Sequence, residues 1–299
     1  MPKVNANGIT LHYERQGNGE PLILIPYLSA DNTCYAFQVA EYAKHFTCFS
    51  IDLRGTGESD KPEGDYSMES YADDIAALMD ALQITRAHVS GMSLGGAIGM
   101  WLAAKNPEKV KSLSIHGAWT KSDPYLTTVV KGWQVMLESF GNVPDLVIEG
   151  IFPWCFTPEF YATKFDVIQS LAAFVRSRPA MSVDAFMRQS NAVIAHALNT
   201  QHMSLGVAAF SVAQRDLIEM EVELLRRKHP EANTFFTQHP HEPFFVKNLE
   251  NIQGDERDSI FISIGYGRNE SGKIAKEFGP LNRDGGHRRL NVLITRAKM

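Results

Sequence analysis

Cysteine is scarce in this chain. Its 299 residues hold only Cys34, Cys48 and Cys155, an odd set with no CxxC and no Cys/His spacing of the zinc-ligand kind. That excludes a disulfide framework, gives no metal site, and predicts a reducing, cytoplasmic compartment. Long apolar runs are missing too. No stretch of about 18 apolar residues occurs, so no membrane span is expected. The opening "MPKVNANGITLHYERQG" has no apolar segment behind a basic start and does not read as a signal peptide. Nor is there a strong excess of one charge: the formal net charge is −5, with 21% charged and 44% hydrophobic residues, the balance of an ordinary globular protein. The charge is unevenly spread. Residues 203–299 carry 14 Lys+Arg against 13 Asp+Glu, and the preceding 202 residues carry 15 against 21. The patterning of the chain changes at the same place.

In the first two hundred residues, strand and helix signals alternate. "PLILIPY" (21–27) is a short apolar run, and "FTCFSIDLRGTGESD" (46–60) is a strand entering a glycine-rich turn. The spacing of Tyr71, Ile75, Leu78, Met79 and Leu82 predicts a helix over 67–83 with Ser67 as N-cap. "AHVS" (87–90) and "VKSLSIHG" (110–117) are further strands, with a helix from near Leu94 between them. This alternation implies an α/β fold with a parallel sheet and helices on its faces.

Between strand and helix stands Gly91-Met92-Ser93-Leu94-Gly95, a G-x-S-x-G sequence. A five-residue pattern of this kind arises by chance, and a tight turn without chemistry is one reading. Its position after an apolar strand and before an Ala/Gly-rich helix favours the other. Small residues there allow a sharp turn that lifts a serine hydroxyl above the sheet as a nucleophile.

With "LILIPYLSADN", "IDLRGTGESDKP" and "AHVSGMSLGGAIGMWLAAKNPEKVKSLSIHG", residues 1 to about 197 resemble the α/β-hydrolases, in particular their enol-lactonase and esterase branch. The resemblance implies Ser93 as nucleophile and the backbone N–H of Leu94, the residue after it, as one oxyanion arm. Leu28 N–H is the other arm, although Pro26-Tyr27 stand where the family usually has His-Gly. The aromatic-rich stretch from about 120 to 190 becomes a helical cap over an apolar pocket, simple core packing being the alternative for any one ring. The expected partner is a small ester or lactone, with no cofactor.

A serine nucleophile needs an imidazole base and an acid that orients it. His88 lies inside a strand and reads as a core residue with its ring satisfied. His116, at the carboxyl end of a strand with Asp123 soon after, is the substitute base this part of the chain offers. His196 and His202 flank the change of pattern. His239 and His241, in "TQHPHEPFF", lack the acid-bearing strand expected ahead of a late catalytic histidine. The triad is left incomplete, and the hydrolase-like domain, 1–202, is expected to lack its last strands.

From Ser204 onward "SLGVAAF" reads as a strand and "SVAQRDLIEMEVELLRRKHP" as a helix with a Ser211/Gln214 capping box and a stop at Pro230. "NTFFTQ", "FFVKNL" and "DSIFISIGY" read as strands. "ENIQGDERDSIFISIGYGR" and "GPLNRDGGHRRLNVLITRA" resemble the second RecA-like domain of superfamily 1 helicases. The resemblance implies that Gln253, Gly254 and Glu256 couple nucleotide to nucleic acid, and that Arg289 and Arg296 form the arginine motif. Arg296 would be the finger on the γ-phosphate. Read without it, the closing segment is a solvated basic helix. Gly267–Ile274 has the spacing of a phosphate loop, but Ile274 occupies the Mg²⁺-binding Ser/Thr position.

The sequence therefore predicts an incomplete α/β-hydrolase-like domain over 1–202 followed by a helicase-like fragment over 203–299. Three functions follow from it: an ester or lactone hydrolase, a nucleic-acid-associated module unable to hydrolyse ATP alone, or a non-catalytic fusion product. Exposed sheet edges would favour self-association. A single core, with the later strands extending the first sheet, is the alternative architecture.

Overall fold

The computed structural model describes residues 2–198, 205–209, 211–238, 241–248, 251–252 and 259–263. The chain divides into two compact units, Met1–Leu198 and Asn199–Met299. The described strands form two sheets, one of six strands and one of three.

The first unit opens with a hairpin of β1 (Lys3–Ala6) and β2 (Ile9–Gln16). Asn7 and Gly8 both have positive φ, 51° and 76°, the conformation a two-residue hairpin turn demands. β3 (Glu20–Ile25), β4 (Phe46–Ile51), β5 (Ala87–Met92) and β6 (Val110–His116) follow. The sheet order is β1-β2-β4-β3-β5-β6. β2 runs antiparallel to β4, and β4, β3, β5 and β6 are mutually parallel.

The period of two sorts β3 between two cores. Leu22 and Leu24 pack with Tyr35, Val39 and Cys48 beside α1 (Ala36–Tyr42). Ile23 and Ile25 join the main core with α2 (Met68–Ala81) and α3 (Leu94–Lys105). A parallel sheet buried on both faces needs this double apolar character. Ser67 caps α2 in a reciprocal box with Ser70, and Tyr71, Ile75, Leu78 and Met79 are fully buried. The expected elements of this unit thus form within one or two residues of their anticipated bounds.

A helical segment follows β6: α4 (Pro124–Phe140), α5 (Val143–Asp145), α6 (Phe152–Cys155), α7 (Pro158–Thr163), α8 (Phe165–Ser177) and α9 (Val183–Ala195). α4 and α9 are joined by Gln134 Nε2, which donates to Ser190 Oγ and Asn191 Oδ1, both at 2.8 Å.

In the second unit β7 (Leu205–Ala209) lies between β8 (Phe245–Asn248) and β9 (Ser259–Ser263), all parallel. α10 (Val212–Lys228) starts at Ser211, whose hydroxyl accepts the Gln214 N–H. "NTFFTQ" is not a strand. Asn233–Thr237 forms the short helix α11, entered from a 3₁₀ turn at Pro230–Ala232. Ring packing overrides β propensity there: Phe236 lies 5.0 Å from Phe244, centroid to centroid, and the Arg226 guanidinium 4.4 Å from the Phe236 ring.

Candidate active site

In the order β4-β3-β5, the chain winds outward in both directions from β3. The carboxyl ends of β3 and β5 therefore flank the topological switch point, where open α/β sheets bind ligands. The loop after Ile25 and the turn at Ser93 both emerge there.

Ser93 has φ 53° and ψ −117°, a strained conformation for a residue with a side chain, costing about 1–3 kcal/mol. Neighbouring glycines make the turn sterically feasible. A Cβ on Gly91 would collide with the Gly95 carbonyl, one on Gly95 with the Ile25 carbonyl, and one on Gly96 would lie 2.6 Å from Ala118 Cβ. The turn is therefore pressed against the end of β3. Ser93 N donates to the His116 carbonyl at 2.8 Å, which ties the turn to β6. Leu94 is the first residue of α3, where an N–H has no acceptor within the helix and is available to an anion.

The Leu28 arm lies in a loop anchored to a buried carboxylate. Asp52, at the end of β4, is fully buried. Its Oδ1 accepts from Asn32 N and Nδ2, both at 2.7 Å, and its Oδ2 from Glu58 N at 2.9 Å, with His12 Nδ1 2.7 Å away. Gly57, at φ 49°, leaves room for this carboxylate, since a Cβ would overlap it. The glycine-rich turn after β4 thus wraps an acid that holds the neighbouring loop. Sequence reasoning missed His12, Asn32 and Asp52. A lone aspartate ending an apolar strand ahead of a glycine-rich turn was the available signal.

The imidazoles are otherwise engaged. The His116 ring points Nε2 at Ser90 Oγ, 3.2 Å away, and burial pushes its pKa below the ordinary histidine value. The structure thus brings the His116 backbone to Ser93 and its ring to Ser90. Asp123 is used as the N-cap of α4, accepting from Leu126 N at 2.7 Å. His88 is satisfied on both nitrogens, by Ser112 Oγ at 2.7 Å and Glu20 Oε2 at 2.9 Å. His196 is buried between tryptophans: Trp101 Nε1 donates to its Nδ1 at 3.2 Å, and its Nε2 lies 3.0 Å from the Trp119 carbonyl. Burial lowers its pKa, against a smaller opposing pull from that carbonyl. Among the described residues, no imidazole hydrogen-bonds Ser93 Oγ. His241 lies in an exposed turn. His202, His239, Gln253, Gly254, Glu256, Arg289, Arg296 and the Gly267–Ile274 loop lie outside the described residues.

No group of metal-binding side chains occurs among the described residues, and none of their helices is long and apolar enough to cross a membrane. A cavity of about 300 Å³ lined by Tyr13, Arg15, Pro21, Thr47 and Phe49 lies at the amino-terminal ends of β3 and β4, the opposite edge from Ser93.

Comparison with known proteins agrees with this architecture. A family model described as the alpha/beta hydrolase fold matches residues 18–165, and this part of the chain has that fold. RutD of Azorhizobium caulinodans, a protein named as a carbamate hydrolase, is 29% identical over 169 residues, or 56% of this chain and 63% of RutD. A protein of Mycoplasma genitalium named as an ATP-dependent helicase is 42% identical over 104 residues, or 33% of this chain and 9% of that protein. The chain thus spans less than two thirds of either relative. The enol-lactonase of Burkholderia xenovorans superposes with a TM-score of 0.61 at 19% identity, covering 98% of this chain and 99% of that one. An esterase of Thermogutta terrifontis gives 0.59 at 22%, covering 83% and 89%. At these identities the likeness is one of fold.

Proposed function

We propose that the first unit is a serine hydrolase of carboxylic esters or enol lactones with Ser93 as its nucleophile. The observation that carries this reading is the strained Ser93 turn at the switch point, beside a loop tied to buried Asp52. In the reaction, Ser93 Oγ attacks the substrate carbonyl carbon and gives its proton to a base. The carbonyl oxygen becomes an oxyanion facing the N–H groups of Leu94 and Leu28. The C–O bond to the leaving alcohol then breaks, with that alcohol taking the proton. Water hydrolyses the acyl-serine in a second round of the same steps. His116 is the base candidate at this edge; to act, its ring would exchange Ser90 Oγ for Ser93 Oγ.

The test is hydrolysis of p-nitrophenyl acetate and of an enol lactone by the full chain, Ser93→Ala and His116→Ala. Ser93→Ala is expected to abolish turnover, and loss of the base to lower it by about 10²-fold or more. Turnover undiminished in Ser93→Ala would refute the assignment. Undiminished turnover in His116→Ala alone would move the base to another residue.

A second reading rests on the 42% identity to the helicase-named protein: a nucleic-acid-associated module in the second unit. It predicts binding to single-stranded RNA or DNA that weakens steeply as salt rises. Binding absent at low salt would contradict it. A non-catalytic fusion product is the outcome if both tests fail.

A further inference from the structure

The loop carrying Leu28 is held by α9 as well as by Asp52. Tyr27 to Ala30 forms a turn closed by Ala30 N donating to the Tyr27 carbonyl at 3.1 Å. Its third residue, Ser29, has φ 64°, and Leu28 is not among the positive-φ residues. This is the type II pattern, which favours glycine or asparagine at the third position. Serine there needs an external hold. Gln189, fully buried in α9, supplies one: its Oε1 accepts the Ser29 N–H at 2.7 Å. A backbone N–H can only donate, so the facing side-chain atom is the oxygen, and the amide nitrogen is left to donate to Tyr71 OH at 3.2 Å. Tyr71 is itself fully buried, which fixes the amide in this orientation. Two residues on, Asp31 Oδ2 accepts Nε and Nη2 of Arg178, at 3.0 and 2.9 Å.

We propose that Gln189 is a positioning residue: by accepting the Ser29 N–H it holds the Tyr27–Ala30 turn against α9, and with the turn the preceding Tyr27–Leu28 peptide, whose N–H would face an oxyanion on Ser93. Types I and II turns differ chiefly by rotation of the central peptide, here Leu28–Ser29. Rotating it would withdraw the Ser29 N–H, aim the Leu28 carbonyl at Gln189 Oε1, and change ψ at Leu28. Gln189 thus selects one of two turns. With Arg178 on Asp31, it couples the segment after β6 to the oxyanion loop. The inference rests on the Ser93 reading, so its test includes a readout independent of chemistry at Ser93.

The full chain is compared with Gln189→Leu, which removes both hydrogen bonds, and Gln189→Glu, which keeps an acceptor. Amide exchange by NMR follows Ser29, with β5 and α3 amides as the control for folding. Phosphonylation by a fluorophosphonate follows the oxyanion arm. In Gln189→Leu, Ser29 exchange is expected to rise about tenfold or more with β5 and α3 unchanged. Labelling of Ser93 should slow by about ten- to a hundredfold, and Gln189→Glu should recover both. Unchanged Ser29 exchange, or an unchanged labelling rate, overturns the proposal. An unsubstituted protein that takes no label refutes the hydrolase reading instead, and Ser29 exchange then decides whether Gln189 holds the turn.

Discussion

Helices α2 and α10 begin alike and are held differently. Each starts at a serine whose hydroxyl accepts the N–H three residues on. α2 then buries eight of its 14 residues, whereas none of the 17 in α10 is buried. Leu217, Met220 and Leu225 of α10 are about half exposed. Ion pairs such as Glu223 with Arg226 and Arg227 add only tenths of a kcal/mol each. Capping and periodicity announce a helix in both units, but burial decides how firmly it is held.

That contrast can be broken by substitution. All four tryptophans, Trp101, Trp119, Trp133 and Trp154, lie in the first unit, so their fluorescence reports its unfolding alone. Phe186→Ala empties a fully buried site and is expected to cost about 3–5 kcal/mol, read as a lower urea midpoint by fluorescence. A loss below about 1 kcal/mol would show that the first core is not held as described.

A smaller effect is set by pH. His196 is neutral and bridges two tryptophans in the folded unit, and burial holds its pKa below the unfolded value. The unfolded chain therefore binds more protons, and stability is lost as pH falls through about 6.5 toward the folded pKa. His116, shifted the same way, adds to this. The urea midpoint by fluorescence should fall between about pH 7 and 5, with a shallower slope in His196→Gln. An identical slope in that variant would remove His196 from the account.

The smallest effect is expected on α10. Leu224→Ala, at a site 42% exposed, should change stability by no more than about 0.5 kcal/mol, measured by far-UV circular dichroism. A loss comparable to that of Phe186→Ala would erase the contrast between the two helices.

The parts of this molecule legible in its sequence are those written in local pattern. Short apolar runs alternating with helix signals place β3 to β6, the Ser67 cap and Tyr71–Met79 spacing place α2, and the glycines around Ser93 place the turn. The β1–β2 hairpin had a readable signal in Asn7-Gly8. The contacts that shape the candidate site were not legible, because they join residues far apart in the chain. Gln189 meets Ser29 across 160 positions and His12 meets Asp52 across 40, and neither pair carries a spacing rule. "NTFFTQ" misled for a related reason: two adjacent phenylalanines look like a strand until Phe244 and Arg226 pack against them.

The most direct measurement is to treat the full chain with a fluorophosphonate, digest it and locate the adduct by mass spectrometry. The account predicts a single adduct on the peptide containing Ser93, absent in Ser93→Ala. No adduct on the intact chain, or one that persists in the alanine variant, would contradict the assignment of Ser93 as a nucleophile.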